Sequence, residues 1–299
     1  MDKLDLKIVS ALLDNCRESD RQIGNRIGIS GNAVKSRIER MLKNGVIESF
    51  ALKIEPPVLG FSVLYVVTTG QDINGILKQV KLVGDPFFVV PCVGGITVCA
   101  IVVKDDVQQR IEIAKNLMRD VRVLSIFEAE NPGIRSDLTK TDLEIISHLL
   151  EDPKLKIEEI AKLTDLSTKT VTRSLKKLQS DEAIQFTLVY NPEKFDQYIP
   201  FAILVWVESG LKDVLDRLKK QFSDAFLQKP FIAKNQVVLF FYSNNIFELD
   251  NIVQQVREIN GVSTADLFIP RQIKFPQKWA RAAINVARAS ERLHLVYQK

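Results

Sequence analysis

A repeat with a period of 137 residues constrains this 299-residue chain more than any other feature. Setting residue i against residue i+137 aligns 4–47 with 141–184 without a gap. The identical pairs are Asp5/Asp142, Leu6/Leu143, Ile8/Ile145, Ser10/Ser147, Leu12/Leu149, Leu13/Leu150, Ile23/Ile160, Ser30/Ser167, Val34/Val171 and Ile47/Ile184. They are mostly apolar, fall at helical spacings and share one register across three helices and their turns. Two amphipathic helices match by chance at a few positions, not across a whole unit. Self-similarity at a fixed period means one structural unit built twice, so the fold is read as a duplication.

In the first copy Leu4, Ile8 and Leu12 form an i, i+4, i+8 stripe with Val9 and Leu13 beside it, which predicts one buried helix face. Ser19 to Gln22 reads as a capping box that opens a short second helix around Ile23 and Ile27. Gly28 and Ile29 make a tight turn, and Ser30 is a natural N-cap for a third helix over 31–43. Val34, Ile38 and Met41 point inward on that helix, leaving Asn32, Lys35, Ser36, Arg37 and Arg40 outside. Asn44-Gly45 supplies the left-handed residue that ends a helix. Residues 47–54 (IESFALKI) then read as a strand, one arm of a wing. The second copy repeats the pattern, with Leu143, Ile146 and Leu150 on its first helix and Ile160 and Leu163 on its second. Val171, Leu175 and Leu178 face inward on its third helix, with Thr168, Lys169, Thr172, Arg173, Lys176 and Lys177 outside.

A short helix, a three-residue turn and a polar, basic helix are what presenting a helix to a major groove requires. Lys and Arg neutralise phosphates and pair with guanine edges, while Asn, Ser and Thr are short enough to reach bases without holding the helix away. A single such helix is equally well read as a solvated face; the same turn and cap occurring twice favours double-stranded DNA as the partner.

Looser similarity follows. Residues 64–70 (LYVVTTG) and 201–210 (FAILVWVESG) are apolar strands ending in Gly. Each precedes a helical stretch (73–83; 211–222), a strand pair (87–103; 231–242), a second helix (107–118; 247–259) and a last strand (121–127; 262–269). That order is β-α-β-β-α-β, the ferredoxin-like pattern. Residues 131–137, opening Asn-Pro-Gly, have breaker composition and read as the linker between copies. The expected class is therefore α+β. Winged helix-turn-helix domains at 1–55 and 138–192 alternate with ferredoxin-like regulatory domains at 56–132 and 193–272, each with its own core. Residues 273–299 form a basic amphipathic helix: Pro276 suits a first turn, and Trp279, Ala283, Val286, Ala287 and Leu293 make an apolar stripe. Docking on the body or on a partner chain is favoured for it over phosphate contact.

Charge sharpens this. From Arg271 onward the segment carries about +6, which leaves residues 1–270 near −2 within the total of +4. A DNA binder of this kind acts through local basic patches rather than a global field. Three cysteines, Cys16, Cys92 and Cys99, cannot all pair and no CxxC occurs, which fits a reducing cytoplasm. The start of the chain lacks signal-peptide character, and its apolar runs are far shorter than the ~20 residues of a membrane helix, so no membrane partner is expected.

The run from Ile23 to Ser30 (IGNRIGIS), with Ala33-Val34, Arg37-Ile38 and Gly45-Val46-Ile47, resembles the helix-turn-helix of the Lrp/AsnC (leucine-responsive, feast/famine) regulators. Glu55 to Phe61 (EPPVLGF) resembles that family's junction after the wing, and Asn191 to Phe195 (NPEKF) echoes it in the second copy. The resemblance covers nearly all of residues 1–272. It implies a transcription regulator that self-associates as a dimer through its α/β domains, within one chain or between chains, and responds to a small-molecule effector. The effector site would fall at Gly94, Gly95 and Thr97, which the residues alone read as a hairpin turn. The family's Gly-x-x-Asp is absent there: the first copy reads Gly94-Gly95-Ile96-Thr97 and the second Lys234-Asn235-Gln236-Val237, which argues against an amino acid. Two copies in one chain, where the family usually has one, predict two unlike reading heads.

An enzyme is not expected. The two histidines, His148 and His294, neighbour no cysteine or second histidine at metal-ligand spacing, no Gly-rich phosphate loop occurs, and no cofactor is implied. The sirohaem decarboxylases resemble paired Lrp-type subunits, but the resemblance implies a His-centred motif in the α/β domain, and both α/β domains here lack histidine. The remaining alternative is a protein-docking scaffold whose winged helices no longer bind DNA; the basic third helices argue against it.

Overall fold

The computed structural model describes residues 1–69, 73–104, 106–117, 122–129, 137–233 and 235–296, and the side chains of these except at 117 and 290–296. Lys234, the linker residues 131–136, Met118, Val121 and the side chains of Leu293 and His294 lie outside that description.

Helices α1 (Lys3–Asp14), α2 (Asp20–Ile27) and α3 (Gly31–Lys43) lead into strand β1 (Ile47–Ile54). The caps form where expected. Ser19 and Gln22 close a reciprocal box, and Ser30 Oγ accepts the Ala33 amide at 3.2 Å. Gly45 takes the left-handed conformation (φ 71°) after the last turn of α3. An α/β unit follows: β2 (Ser62–Thr69), α4 (Ile73–Val83), β3 (Asp85–Pro91), β4 (Ile96–Val103), α5 (Val107–Leu117) and β5 (Arg122–Glu128). The second copy repeats the series as α6 (Lys140–Leu149), α7 (Ile157–Thr164), α8 (Thr168–Ser180), β6 (Ile184–Tyr190), β7 (Ile199–Val207), α9 (Leu211–Gln221), β8 (Phe226–Ala233), β9 (Gln236–Ser243), α10 (Ile246–Arg257) and β10 (Val262–Phe268). Helix α11 (Lys278–Val296) ends the described chain.

Both α/β units are antiparallel sheets with the ferredoxin-like order, β5-β2-β4-β3 and β10-β7-β9-β8. Alternation along each strand sends one set of side chains to the helices. In the first unit Leu64, Val66, Cys99 and Ile101 pack with Ile76, Val80, Val83 and Ala114; in the second Ile203, Val205, Val237 and Leu239 pack with Val214, Leu218, Leu249 and Val253. The opposite faces meet each other. Tyr65 stacks on Phe127 at 5.3 Å and reaches Phe231 at 5.7 Å, while Phe127 meets Trp206 edge-on at 5.6 Å. The α/β units therefore pair within one chain.

Four expectations are corrected. β1 is a strand, but it is not an arm of a wing in its own copy: it pairs antiparallel with β6, from Ile47 opposite Tyr190 to Ile54 opposite Ile184. Equivalent strands running antiparallel side by side make a local two-fold relation between the copies, as at an isologous interface. Nor do the two helix-turn-helix units have separate cores. Leu6, Ile8, Leu12, Val34 and Met41 belong to the same buried cluster as Leu143, Ile146, Val171 and Leu178, because Leu52 and Phe186 on the ribbon join them. On α11 the buried residues are Trp279, Ala280 and Ile284, with Ala283 and Ala287 half-buried, whereas Val286 is 60% exposed. Pro276 lies just before the first turn, since the Arg281 amide bonds the Gln277 carbonyl at 3.1 Å.

The segment before α11 ties the copies together again. Lys274 and Val89 exchange two backbone hydrogen bonds of 2.9 and 3.0 Å, and the Arg271 amide bonds Pro91 O at 2.8 Å, covering the edge of β3. Trp279 then sits edge-on between Phe61 and Phe87, at 5.7 and 5.6 Å. Arg281 ion-pairs with Glu151 and donates to Leu150 O at 3.1 Å, while Arg288 holds Glu144 at 2.5 Å. Helix α11 is docked on α6, and these two arginines serve that contact.

Candidate nucleic-acid interface

α3 and α8 are each held from below by their own copy's first helix and by the shared core. Their apolar faces are buried through Val34, Ile38 and Met41, and through Val171, Leu175 and Leu178. The expected contact residues divide into two groups. Asn32, Lys35 and Ser36 on α3, and Thr168, Lys169, Arg173 and Lys176 on α8, are exposed. Thr172 is half-buried and donates to Thr168 O at 2.8 Å within its own helix. Each helix starts at a serine cap, with the Thr170 amide bonded to Ser167 Oγ at 3.1 Å. The free amides of a helix N-terminus and the positive end of its dipole favour a nearby anion, so an exposed start flanked by lysine suits a phosphate.

The second group is ion-paired within the fold, with the Arg40 side chain still 53% exposed. Arg37 donates to Asp2 at 2.7 Å and to Asp5 at 2.8 Å, and Arg40 grips both carboxylate oxygens of Asp5 at 2.9 Å. Asp5 is only 1% exposed. It also accepts the Asp2 amide at 3.0 Å while Asp2 accepts the Asp5 amide at 2.9 Å, which caps α1. Hydrogen bonds to Asp2 and Asp5 push the Arg37 guanidinium further up, so its charge is secure. The second copy has the same device at the same offset. Asp142 accepts the Thr139 amide at 2.9 Å, the Ser174 hydroxyl, and the Lys177 ammonium at 2.9 Å. Burial alone would raise the Asp142 carboxyl; the donors Ser174, Thr139 and Lys177 outweigh it and hold the group below the usual carboxylate range.

These two aspartates were not singled out from the sequence as functional residues. The available signal was their identity at i+137: they are the one charged pair in a set of matches that is otherwise apolar or serine, each three residues after an N-cap residue.

Gly94 and Gly95 form the β3–β4 turn with φ of 82° and 77°, and a Cβ on either would meet nothing within 4 Å. Thr97 is buried, its carbonyl 3.4 Å from the Thr68 hydroxyl. The turn faces the segment after β10, where the Val93 amide bonds Ile269 O at 2.9 Å. A concavity of about 630 Å³ lies among Asp2, Asp5, Arg40, Asn44, Lys194 and Asp196. Among the described residues no cluster of His, Cys, Asp and Glu could hold a metal, and no helix is long and apolar enough to cross a membrane.

Comparison with known proteins gives a winged helix-turn-helix DNA-binding family, whose model matches residues 1–48 and again 138–185. The transcriptional regulator Ptr1 of Methanocaldococcus jannaschii is 40% identical over 67 residues, 22% of this chain and 45% of Ptr1, so this chain spans under half the length of that relative. The transcriptional regulator FL11 of Pyrococcus furiosus is 30% identical over 132 residues, 44% of this chain and 85% of FL11. Among solved structures, the siroheme decarboxylase NirDL aligns over 97% of this chain and 100% of its own at 13% identity, with a TM-score of 0.48, a likeness that says nothing of activity. With FL11 matched over most of its length and the helix-turn-helix met twice, the chain belongs to the Lrp/AsnC family of transcriptional regulators, as a tandem duplication of the family's unit.

Proposed function

We propose that this protein is a sequence-specific DNA-binding transcription regulator and not an enzyme, and that its two unlike heads read two unlike half-sites. One observation carries the reading. Two polar, basic helix faces are exposed on a single shared core, related by the local two-fold of the β1–β6 ribbon. A homodimer with identical heads reads a palindrome. Here Asn32/Lys35/Ser36 and Thr168/Lys169/Arg173/Lys176 differ, so the target is asymmetric, and one chain suffices to engage both halves. The reducing cytoplasm is the setting in which the unpaired, buried Cys16, Cys92 and Cys99 persist. The small-molecule response that the family resemblance implies would engage the turn at Gly94, Gly95 and Thr97, where the family's ligand site falls.

The test is selection of bound duplexes from a random library by the intact protein, repeated with Lys35→Ala and with Lys169→Ala/Arg173→Ala. Each variant is expected to blur a different half of one motif, at a cost of ~1–3 kcal/mol of discrimination per lost base contact. A perfect palindrome at which the second head tolerates substitution would sink the two-head reading. Binding no tighter than ~10⁻⁶ M without enrichment would leave only non-specific coating and move a protein-docking role to first place.

A further inference from the structure

We propose that Asp5 and Asp142 are positioning residues for DNA recognition: each locks its reading helix against rotation, and the different partners each takes decide which cations remain to meet DNA. The inference rests on the DNA-binding reading above. Positions 37 and 40 lie three residues apart on α3, on one side of the helix, and 174 and 177 are their counterparts on α8. A helix gripped at two points one turn apart cannot turn about its axis without breaking both grips. The carboxylates that hold it are nearly inaccessible, at 1% and 3% exposure, so an abandoned grip leaves a buried charge unpaired.

The two clamps are not equivalent in charge. Asp5 uses two arginines, with Asp2 sharing one of them. Asp142 uses one neutral hydroxyl and one lysine, and that lysine also donates to Asp137 O at 2.8 Å. The exposed positions just before each grip differ in the same sense: Ser36 and Glu39 in the first copy stand where Arg173 and Lys176 stand in the second. The first head therefore reads with short polar side chains and Lys35, its arginines ion-paired to Asp2 and Asp5 although the Arg40 side chain is 53% exposed. The second head keeps Lys169, Arg173 and Lys176 free and supplies most of the salt-dependent affinity.

The deciding experiment measures equilibrium binding of the full chain to its selected duplex and to a scrambled one, at several salt concentrations. Arg37→Ser/Arg40→Lys gives Asp5 the partners that Asp142 has, and Asp5→Asn removes the acceptor. The exchanged clamp is expected to keep specific affinity within ~3-fold and to leave the log–log salt slope unchanged, because neither arginine touches phosphate. Asp5→Asn is expected to lower discrimination ~10-fold or more at the α3 half-site alone, while the released arginines steepen the slope by up to about 0.9 each. Simple destabilisation would lower the active fraction without favouring one half of the motif. The proposal is overturned if the exchanged clamp loses ~10-fold in affinity and its slope flattens by about 0.9, since the charge removed at Arg37 would then be a phosphate contact. It is equally overturned if Asp5→Asn leaves discrimination and slope unchanged. Should Asp5→Asn not fold, the exchanged clamp decides alone. If the unmodified chain binds no duplex selectively, the parent reading fails and takes the positioning role with it.

Discussion

Glu182 holds a left-handed backbone conformation (φ 53°) at the helix end where the first copy has Gly45 (φ 71°), and Asp165 (φ 54°) matches Gly28 (φ 81°) in the same way. The turn geometry is thus kept where the residue that favours it is not. An L-residue there costs roughly 1–2 kcal/mol, part of which glycine's larger unfolded-state entropy would offset. Glu182→Gly is expected to raise stability by ~0.5–1 kcal/mol in urea denaturation; no gain would mean that the Glu182 side chain contributes as much as its backbone costs. Asp142 has a pH signature. Its carboxyl is depressed in the folded state, so its contribution is present above the unfolded carboxylate value and disappears as pH falls through the folded one. Asp142→Asn is expected to cost ~1–3 kcal/mol at pH 7 and progressively less below about pH 4, while a pH-independent cost would mean the loss is one of packing. The thiols are inert by the same logic of burial, which pushes Cys16 up to about 11 and Cys92 and Cys99 to about 12. Fast labelling of the native protein by a thiol reagent at pH 8 would contradict this placement.

At the scale of elements, the β1–β6 ribbon shows what periodicity reads and what it does not. Residues 47–54 read as a strand from composition, but their partner lies at 184–190, and nothing local in IESFALKI specifies it. Pairing there is decided by the fit of Leu52 and Phe186 into a core that both copies build. Phe186→Ala, at a site 1% exposed, is expected to cost ~3–5 kcal/mol. Because the ribbon is common property, hydrogen exchange should speed up in α3 and α8 together; acceleration in α8 alone would count against the shared core. Helix α11 was legible as amphipathic, yet its buried stripe runs through Trp279, Ala280 and Ile284 rather than Val286. The docking face was settled by where α6, Phe61 and Phe87 stand. Docking is the reading its sequence favours over phosphate contact, and in the fold Arg288 pairs with Glu144 on α6 and Arg281 with Glu151 just beyond it.

For the whole molecule, the shared cluster implies that the two heads unfold as one. The two tryptophans sample different junctions: Trp206 lies against Phe127 between the sheets, and Trp279 between α11 and the first copy. Trp206→Phe and Trp279→Phe variants are expected to show coincident urea transitions by fluorescence and far-UV circular dichroism, whereas separated midpoints would divide the molecule into independent units. The duplication, the three-helix pattern, the caps and the β-α-β-β-α-β order were all determined by the sequence alone. They depend on spacings within a few residues and on one repeat period, and the physics that sets them is local. Which copy β1 pairs with, which face α11 buries, and that Arg37, Arg40 and Lys177 are held by Asp5 and Asp142 were decided only by the tertiary structure. Each depends on groups 32 to 225 residues apart meeting in space, as Arg37 meets Asp5 and Gln277 meets Leu52, and a charged side chain carries no mark in sequence of whether it will face solvent or a buried carboxylate.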